Sequence, residues 1–221
     1  MLLANWNNGH VMRAMPPLPS PSLQEPCALP TIAGVDEVGR GPLAGPVVAA
    51  AVLLEPRDMP LGLMDRIADS KTLNMGQRTE IAAALQGCCV FALGWADVAE
   101  IETWNILGAT HLAMARAIKA LGTVPGRVLI DGNSAPALPC PCECIVGGDA
   151  SVPAIAAASI VAKVARDRHM EVLAESCPGY GWERNRGYGT PEHLDALRRL
   201  GVNEHHRRSF KPVREALAAS R

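Results

Sequence analysis

The sequence predicts an α/β fold in which a mixed central sheet is flanked by helices. Apolar, strand-like runs come first, at 31–36, 47–54 and 89–96. Two shorter runs, at 127–131 and 143–146, then alternate with helix-like segments. Strands that come first and afterwards alternate with helices are typical of a sheet with both parallel and antiparallel pairs.

The predicted helices follow from apolar residues that recur every three or four positions. One helix spans about 74–86, and another spans 105–121, where the apolar residues share one face. The longest runs from about 152 to 176. Shorter helices at 191–200 and 212–220 form a short C-terminal helical segment.

One edge of the longest predicted helix carries polar groups. Ser159, Lys163 and Asp167 follow Ile155 at intervals of four residues, so the four share one stripe. The adjacent stripe is purely apolar. The pattern indicates either an ordinary amphipathic helix or one that presents a hydroxyl, an ammonium and a carboxylate to a site.

Length and composition indicate one large globular domain. The 221 residues suffice for a sizeable core, and the longest apolar run, at 47–54, is too short to cross a bilayer. The N-terminus lacks the apolar core of a secretion signal. We therefore expect a cytoplasmic protein without a membrane partner. Residues 1–30, rich in Pro, Asn and Ser, are predicted to be a disordered extension of the domain at 31–221.

The charges are unevenly distributed, although the net charge is only −1. Residues 163–221 carry a net charge of +4, and residues 1–162 carry −5. A basic C-terminal third suits a protein that holds metal ions at carboxylates and a polyanion elsewhere. A chance asymmetry is the alternative.

The seven cysteines are odd in number and scattered. In a chain of this length without a signal peptide, reduced thiols are expected rather than a disulfide framework. The run Cys140, Cys142, Cys144 invites a zinc hypothesis, but its one-residue spacings differ from the C-x-x-C pairs of structural zinc sites. We expect no zinc there, and no function is predicted for these thiols.

Four acidic residues lie at or just beyond predicted strand ends. They are Asp36, Glu37, Asp131 and Asp149. Strand ends of this kind border the ligand crevice of open sheets. Carboxylates gathered there would repel one another, and Mg²⁺ or Mn²⁺ would relieve the repulsion through hard oxygen ligands. Two such ions about 4 Å apart can promote phosphodiester hydrolysis. The alternatives are a plain strand end at Asp36 and a helix-capping role for Asp149.

The glycines after the first acids expose bare backbone. Gly39 and Gly41 allow a ligand to approach the peptide groups closely, and Arg40 between them supplies a charge for phosphate. The spacing is not the dinucleotide fingerprint, because the next glycine comes four residues after Gly41 and Pro42 intervenes.

Several long motifs occur in an order that resembles the ribonuclease HII family over about residues 31–215. They are "GVDEVGRGPLAGPVVAAAVLL", "DSKTL", "LIDGN", "GGDASVPAIAAASIVAKVARDR", "NRGYGTPEHLDAL" and "GVNEHHRRSFKPV". The resemblance implies a ribonuclease H-like catalytic domain that hydrolyses RNA in RNA–DNA hybrids. It also implies incision 5′ of single ribonucleotides in duplex DNA, leaving 5′-phosphate and 3′-hydroxyl ends, for ribonucleotide and primer removal.

The resemblance also assigns residues to roles. The catalytic, metal-binding acids would be Asp36, Glu37, Asp131 and Asp149, with two Mg²⁺ or Mn²⁺ ions expected. Gly39, Arg40 and Gly41 would recognise the ribose 2′-hydroxyl, and Tyr188 would stack on the next deoxyribose. Phosphate contacts would come from Lys71, Ser159 and Lys163, and from Arg186, which stands where lysine is usual. His206, Arg207 and Ser209 match a run with a structural or substrate-edge role.

Two rival functions remain from the sequence. A DNA strand-transferase or resolvase would use a similar acid cluster, but the Gly39–Gly41 motif counts against it. A binding module without chemistry is disfavoured because all four acids are present. The expected partners are RNA–DNA hybrids and ribonucleotide-containing DNA, bound by a monomer. A replication clamp is a conceivable partner that no segment of the sequence indicates.

Overall fold

The computed structural model describes residues 31–55, 57, 59–68 and 73–219. The predicted extension at 1–30 and the predicted phosphate contact Lys71 lie outside these residues. The strands of the described residues are β1 (Ile32–Val38), β2 (Val47–Leu53), β3 (Val90–Ala96), β4 (Arg127–Asp131) and β5 (Cys142–Ile145).

The five strands form one mixed sheet in the order β3-β2-β1-β4-β5. The pairs β1–β2 and β2–β3 are antiparallel, whereas β1–β4 and β4–β5 are parallel. The predicted mixed α/β sheet is therefore confirmed. Strand β1 lies at its centre, where it runs parallel to β4 with Val35 opposite Ile130.

Helices cover both faces of this sheet. In the described residues they are α1 (Leu63–Ala68), α2 (Met75–Cys88), α3 (Val98–Ala120), α4 (Pro153–Ser176), α5 (Trp182–Asn185), α6 (Pro191–Leu200) and α7 (Lys211–Ala219). Helices α1, α2 and α4 pack on one face, and α3 packs on the other. None of the helices among the described residues is long and apolar enough to cross a membrane.

Helix α3 corrects one predicted boundary, because it begins at Val98 rather than near 105. Asp97 caps it through a reciprocal pair of hydrogen bonds with Glu100. Asn105 then interrupts the helix with φ 56° and ψ 175°. Its side-chain oxygen accepts hydrogen bonds from the N–H groups of Leu107 and Gly108, which starts the helix again. The apolar periodicity in the sequence follows only this second part.

Two glycines let the long helices approach the sheet closely. A Cβ atom on Gly34 of β1 would lie 2.1 Å from the carbonyl carbon of Ala154 in α4. One on Gly94 of β3 would lie 1.9 Å from the carbonyl oxygen of Ala113 in α3. The alanine-rich faces of both helices therefore pack almost backbone to backbone against the strands, which sets where α4 presents its polar edge.

The C-terminal elements form a small aromatic core beside the sheet. The rings of Tyr180 and Trp182 stack with centroids 5.0 Å apart. The backbone N–H of Leu43, in the loop after β1, donates to the carbonyl of Gly187 at 2.7 Å, and the N–H of Arg207 donates to the carbonyl of Leu43 at 2.8 Å. The C-terminal segment is thus attached directly to the loop that follows the first two acids.

Candidate active site

Asp36 and Asp131 are neighbours on the adjacent parallel strands β1 and β4, one residue beyond the last pair of their ladder, Val35 with Ile130. The predicted strand end at Asp36 is wrong, because β1 continues to Val38 through its antiparallel pairing with β2. Because the parallel strands end at the same edge of the sheet, both carboxylates come to one site. Asp36 is 6% exposed. Its carboxylate lies beside the hydroxyl of Ser159 on α4, and its Oδ1 accepts a hydrogen bond from the backbone N–H of Glu37 at 2.7 Å.

Burial controls the electrostatics of this site. Burial raises the pKa of Asp36 to about 7. The hydroxyl of Ser159 opposes this shift, whereas the carboxylates of Glu37 and Asp131 add to it. Burial also raises the pKa of Glu37, and the guanidinium of Arg40 opposes that rise with its Nη1 atom 3.2 Å from Oε1 of Glu37. The acids therefore repel one another, and Arg40 offsets this repulsion only in part.

Two carboxylate oxygens of this cluster are buried and have no hydrogen-bond partner among the residues that the structure describes. They are Oε2 of Glu37 and Oδ1 of Asp131. Buried acceptors are nearly always satisfied in folded proteins, so such oxygens call for a cation or an ordered water. Hard carboxylate oxygens fit Mg²⁺ or Mn²⁺. In the described part of the chain, no three acid, imidazole or thiolate groups are already close enough to enclose an ion.

Asp149 lies in a 3-10 turn, Gly148–Ala150, that precedes α4. The helix itself is capped at Val152, which makes no side-chain cap. The alternative of Asp149 as the helix-capping acid is therefore wrong, since the turn holds it three residues before the cap. Asp149 and Glu37 line one cleft of about 280 Å³.

The polar edge of α4 faces the same cleft, together with a residue that the motifs did not indicate. Ser159 and Lys163 line the cleft, and Arg78 of α2 reaches it from the opposite side. The Nζ atom of Lys163 lies 2.9 Å from Oδ1 of Asp167. Arg78 has no local sequence signal, because only the packing of α2 against α4 brings it there. The cleft thus combines carboxylates with two cationic side chains.

The Gly-Arg-Gly loop continues directly from β1 and lies beside Tyr188. Gly39 has φ +94°, and a Cβ atom there would lie 2.2 Å from Nε of Arg166. Only glycine fits both this backbone conformation and this contact. A Cβ on Gly41 would lie 3.6 Å from the ring of Tyr188, which is 41% exposed. The exposed backbone at Gly41 and the tyrosine ring are therefore neighbours.

Arg186 is placed differently from the other predicted substrate contacts. Its guanidinium is buried, with Nη2 2.8 Å from Oε1 of Glu171 and Nε 3.8 Å from Oδ2 of Asp167. Both acids belong to α4. The structure thus shows this side chain paired with acids of α4 inside the protein. Its contact with phosphate stays a prediction.

The sheet and its acid-lined edge define an α/β protein of the ribonuclease H-like class. The ribonuclease H2 of Pyrococcus horikoshii matches with a TM-score of 0.72 and 23% identity over 86% of this chain and 98% of that chain. Bst-RNase HIII in complex with Mn²⁺ matches with a TM-score of 0.65 and 20% identity over 86% of this chain and 70% of that chain. These likenesses show the fold.

The sequence comparisons show the family. The ribonuclease HII family model matches residues 33–213. Ribonuclease HII of Paramagnetospirillum magneticum is 57% identical over 182 residues, which cover 82% of this chain and 90% of that protein. The chain therefore belongs to the ribonuclease HII family. Membership of this family supports ribonuclease H endonuclease activity.

Proposed function

We propose that this chain hydrolyses the RNA strand of RNA–DNA hybrids and incises duplex DNA 5′ of single ribonucleotides, leaving 5′-phosphate and 3′-hydroxyl ends. Such a cut would serve ribonucleotide and primer removal. One observation carries the proposal. The unpartnered buried oxygens of Glu37 and Asp131 lie beside a loop of exposed backbone at Arg40 and Gly41.

Asp36, Glu37, Asp131 and Asp149 would hold Mg²⁺ or Mn²⁺, as the carboxylate donor set and the two unsatisfied oxygens support. Bound divalent ions would supply positive charge at the phosphodiester and promote its attack by water. Since the acids do not yet enclose an ion, binding would draw their carboxylates together. Ser159 would orient the carboxylate of Asp36 during this change.

Lys163 and Arg78 would bind the phosphates that flank the cut. Both line the cleft beside the acids, and cationic side chains supply most of the affinity of a protein for a nucleic-acid backbone. Arg40 would keep Glu37 ionised through their contact, because a nearby positive charge favours the carboxylate form.

The ribose itself would be recognised at the Gly-Arg-Gly loop. The 2′-hydroxyl is the group by which a protein distinguishes RNA from DNA at a given position. The backbone at Arg40 and Gly41 is exposed and carries no bulky obstacle at Gly41. Tyr188, adjacent to Gly41, would stack on the following deoxyribose and so favour an RNA-to-DNA junction.

The test uses three end-labelled duplexes: a DNA duplex that contains one ribonucleotide, an RNA–DNA hybrid and an all-DNA duplex. Each is incubated with the protein in Mg²⁺ or Mn²⁺. We expect a cut immediately 5′ of the ribonucleotide, cleavage of the hybrid and an intact DNA duplex. Cutting of the all-DNA duplex would instead support a strand-transferase or resolvase. Binding without cleavage in either metal would identify a binding module and refute the proposal.

A further inference from the structure

Two buried arginines lie beneath the Gly-Arg-Gly loop, and neither takes part in the proposed chemistry of the acids. Arg166 of α4 and Arg207, which precedes α7, are both 0% exposed. Burial lowers the pKa of Arg166 to about 10 and that of Arg207 to about 9, so both remain charged at neutral pH. Among the described residues, no carboxylate lies within ion-pair distance of either guanidinium.

Backbone carbonyls of the loop solvate these two charges instead. Nη2 of Arg207 lies 2.5 Å from the carbonyl oxygen of Gly39, and its Nη1 lies 2.9 Å from that of Arg40. Its Nε and Nη2 also donate to the carbonyl of Gly45, at 3.0 and 2.8 Å. A buried charge is tolerated only with such hydrogen bonds, so the carbonyls are held toward Arg207.

Arg166 holds a different part of the same loop. Its Nε donates to the carbonyl of Pro46 at 2.9 Å, and its Nη2 donates to that of Ala44 at 3.1 Å. Its Nη1 donates to the carbonyl of Arg186 at 3.0 Å. Arg166 therefore fixes the far end of the loop and the neighbouring loop of Tyr188, but it donates to neither Gly39 nor Arg40.

The orientation of the carbonyls determines the orientation of the adjacent N–H groups. All the described peptide bonds are trans, so a C=O and the N–H of the same peptide point in opposite directions. Because Arg207 binds the carbonyls of Gly39 and Arg40, the N–H groups of Arg40 and Gly41 point away from it. Neither N–H has a hydrogen-bond partner in the described part of the chain, and both residues are exposed.

Arg207 is itself held firmly in place. The ring centroid of Phe210 lies 5.2 Å from its guanidinium carbon. Glu102 of α3 accepts hydrogen bonds from the backbone N–H and the hydroxyl of Ser209, at 3.1 and 2.9 Å. The segment that carries Arg207 is therefore anchored to α3, and the anchored guanidinium can determine the conformation of the loop above it.

We propose that Arg207 is the positioning residue for ribose discrimination: it aims the N–H groups of Arg40 and Gly41 at the 2′-hydroxyl. The inference rests on the proposed function, because it assumes that this loop reads the ribose. Two directed donors recognise a hydroxyl only when their peptide planes are fixed beforehand, since reorienting them on binding would reduce the gain. Arg207 touches no substrate in this scheme and acts through the backbone.

Arg207→Lys tests the inference, because lysine keeps the charge but cannot span the three carbonyls. The assay measures KM for a duplex with one ribonucleotide and the inhibition constant Ki of the matched all-DNA duplex as competitor. The ratio Ki/KM reports recognition of the 2′-hydroxyl. We expect the ratio to fall about tenfold, as for loss of a well-placed hydrogen bond, with most of the change in KM.

Tyr180→Phe is the control, since it removes a hydrogen bond of a buried side chain, from the Tyr180 hydroxyl to the carbonyl of Gly201 at 3.0 Å, but none at Gly39 or Arg40. Its Ki/KM ratio should stay within about 1.5-fold of the original, a smaller change than the loss of one hydrogen bond to the substrate produces. An equal loss of selectivity in both variants would overturn the inference. So would a parallel rise of KM and Ki in Arg207→Lys, which would indicate general damage to binding.

Phe210→Leu covers the case in which Arg207→Lys does not fold. It leaves every donor of Arg207 in place but removes the ring beside the guanidinium, and a fall of about threefold in Ki/KM is expected. An unchanged ratio in this folded variant would refute the inference. If the unsubstituted chain does not cut the duplex with one ribonucleotide, the proposed function itself is wrong. If it cuts this duplex but its Ki/KM ratio is near one, the loop does not recognise the ribose and the inference alone is wrong.

Discussion

Ser159 on α4 lies beside Asp36 on β1, and its hydroxyl lowers the pKa of the Asp36 carboxyl against the larger effect of burial. This contact depends on the close approach of helix and strand at Gly34. Gly34, two residues before Asp36 on the same strand, thus determines the surroundings of this buried acid. The packing of α4 against β1 therefore also sets the position of the Ser159 hydroxyl relative to Asp36.

Asp131→Asn should abolish cleavage, with a loss of about a thousandfold or more, because the substitution removes a carboxylate ligand and its charge from the proposed metal site. Binding of an RNA–DNA hybrid should change little, since the proposed phosphate contacts are made by Lys163 and Arg78. Initial cleavage rates and hybrid affinity measure the two effects. Asp65→Asn, an exposed acid on α1, is the control. Near-full activity of Asp131→Asn would contradict the site assignment.

Ser159→Ala should lower kcat about tenfold, because Asp36 loses the hydroxyl that orients its carboxylate. The measurement is single-turnover cleavage of a duplex with one ribonucleotide at saturating protein. Ser176→Ala removes a hydroxyl from the end of the same helix, where it bonds only to the carbonyl of Leu173, and should leave the rate unchanged. Equal cleavage rates for both variants would show that the hydroxyl of Ser159 does not contribute to cleavage.

Gly34→Ala should destabilise the fold by about 3 kcal/mol, because the new methyl group meets the backbone of α4 and the helix must move away. Urea unfolding monitored by circular dichroism gives the free energy of unfolding. Gly87→Ala is the control and should change the free energy of unfolding in the opposite direction. Its Cβ would meet no atom within 4 Å, and removing a glycine from α2 should stabilise by about 0.5–1 kcal/mol. A neutral Gly34→Ala would mean that α4 is packed less tightly than described.

The contribution of His206 to stability should fall as the solution is acidified below about pH 6.5, because His206 is buried as the neutral form, whereas the raised pKa of Asp36 acts in the opposite direction. Burial, together with the neighbouring His193 whose Nε2 lies 3.1 Å away, lowers the pKa of His206 to about 3. The unfolded chain therefore takes up a proton near the ordinary histidine pKa while the folded chain does not. The stabilising contribution is complete above about pH 6.5 and declines toward pH 3, by at most about 1.4 kcal/mol per pH unit.

Urea unfolding of the original chain and of His206→Gln at several pH values between 4 and 7 measures this contribution. The stability difference between the two should shrink as the pH falls, because glutamine takes up no proton. His111→Gln, on α3 and outside this cluster, is the matched substitution and should keep the original slope. The explanation is wrong if both variants show the same pH dependence.

Local patterns in the sequence were sufficient for the strands, the long helix and the family. The five predicted strands and the mixed sheet are confirmed, because strand periodicity and the turn residues between strands are local properties. Consecutive motifs likewise identified the family, which the comparisons show. The prediction that Asp36 and Asp131 share one site followed from the sequence, since each residue directly follows an apolar run.

The tertiary structure alone decided what surrounds those acids. Arg207 reaches the carbonyl of Gly39 across 168 positions of the chain, and Arg166 reaches that of Pro46 across 120. Arg78 joins the cleft only through the packing of α2, and Arg186 is turned toward α4. The sequence contains no periodic pattern that predicts such contacts, because they depend on which faces of the elements meet after folding. The sequence therefore determined the chemistry of the acids, whereas the long-range packing decided how the loop beside them is held.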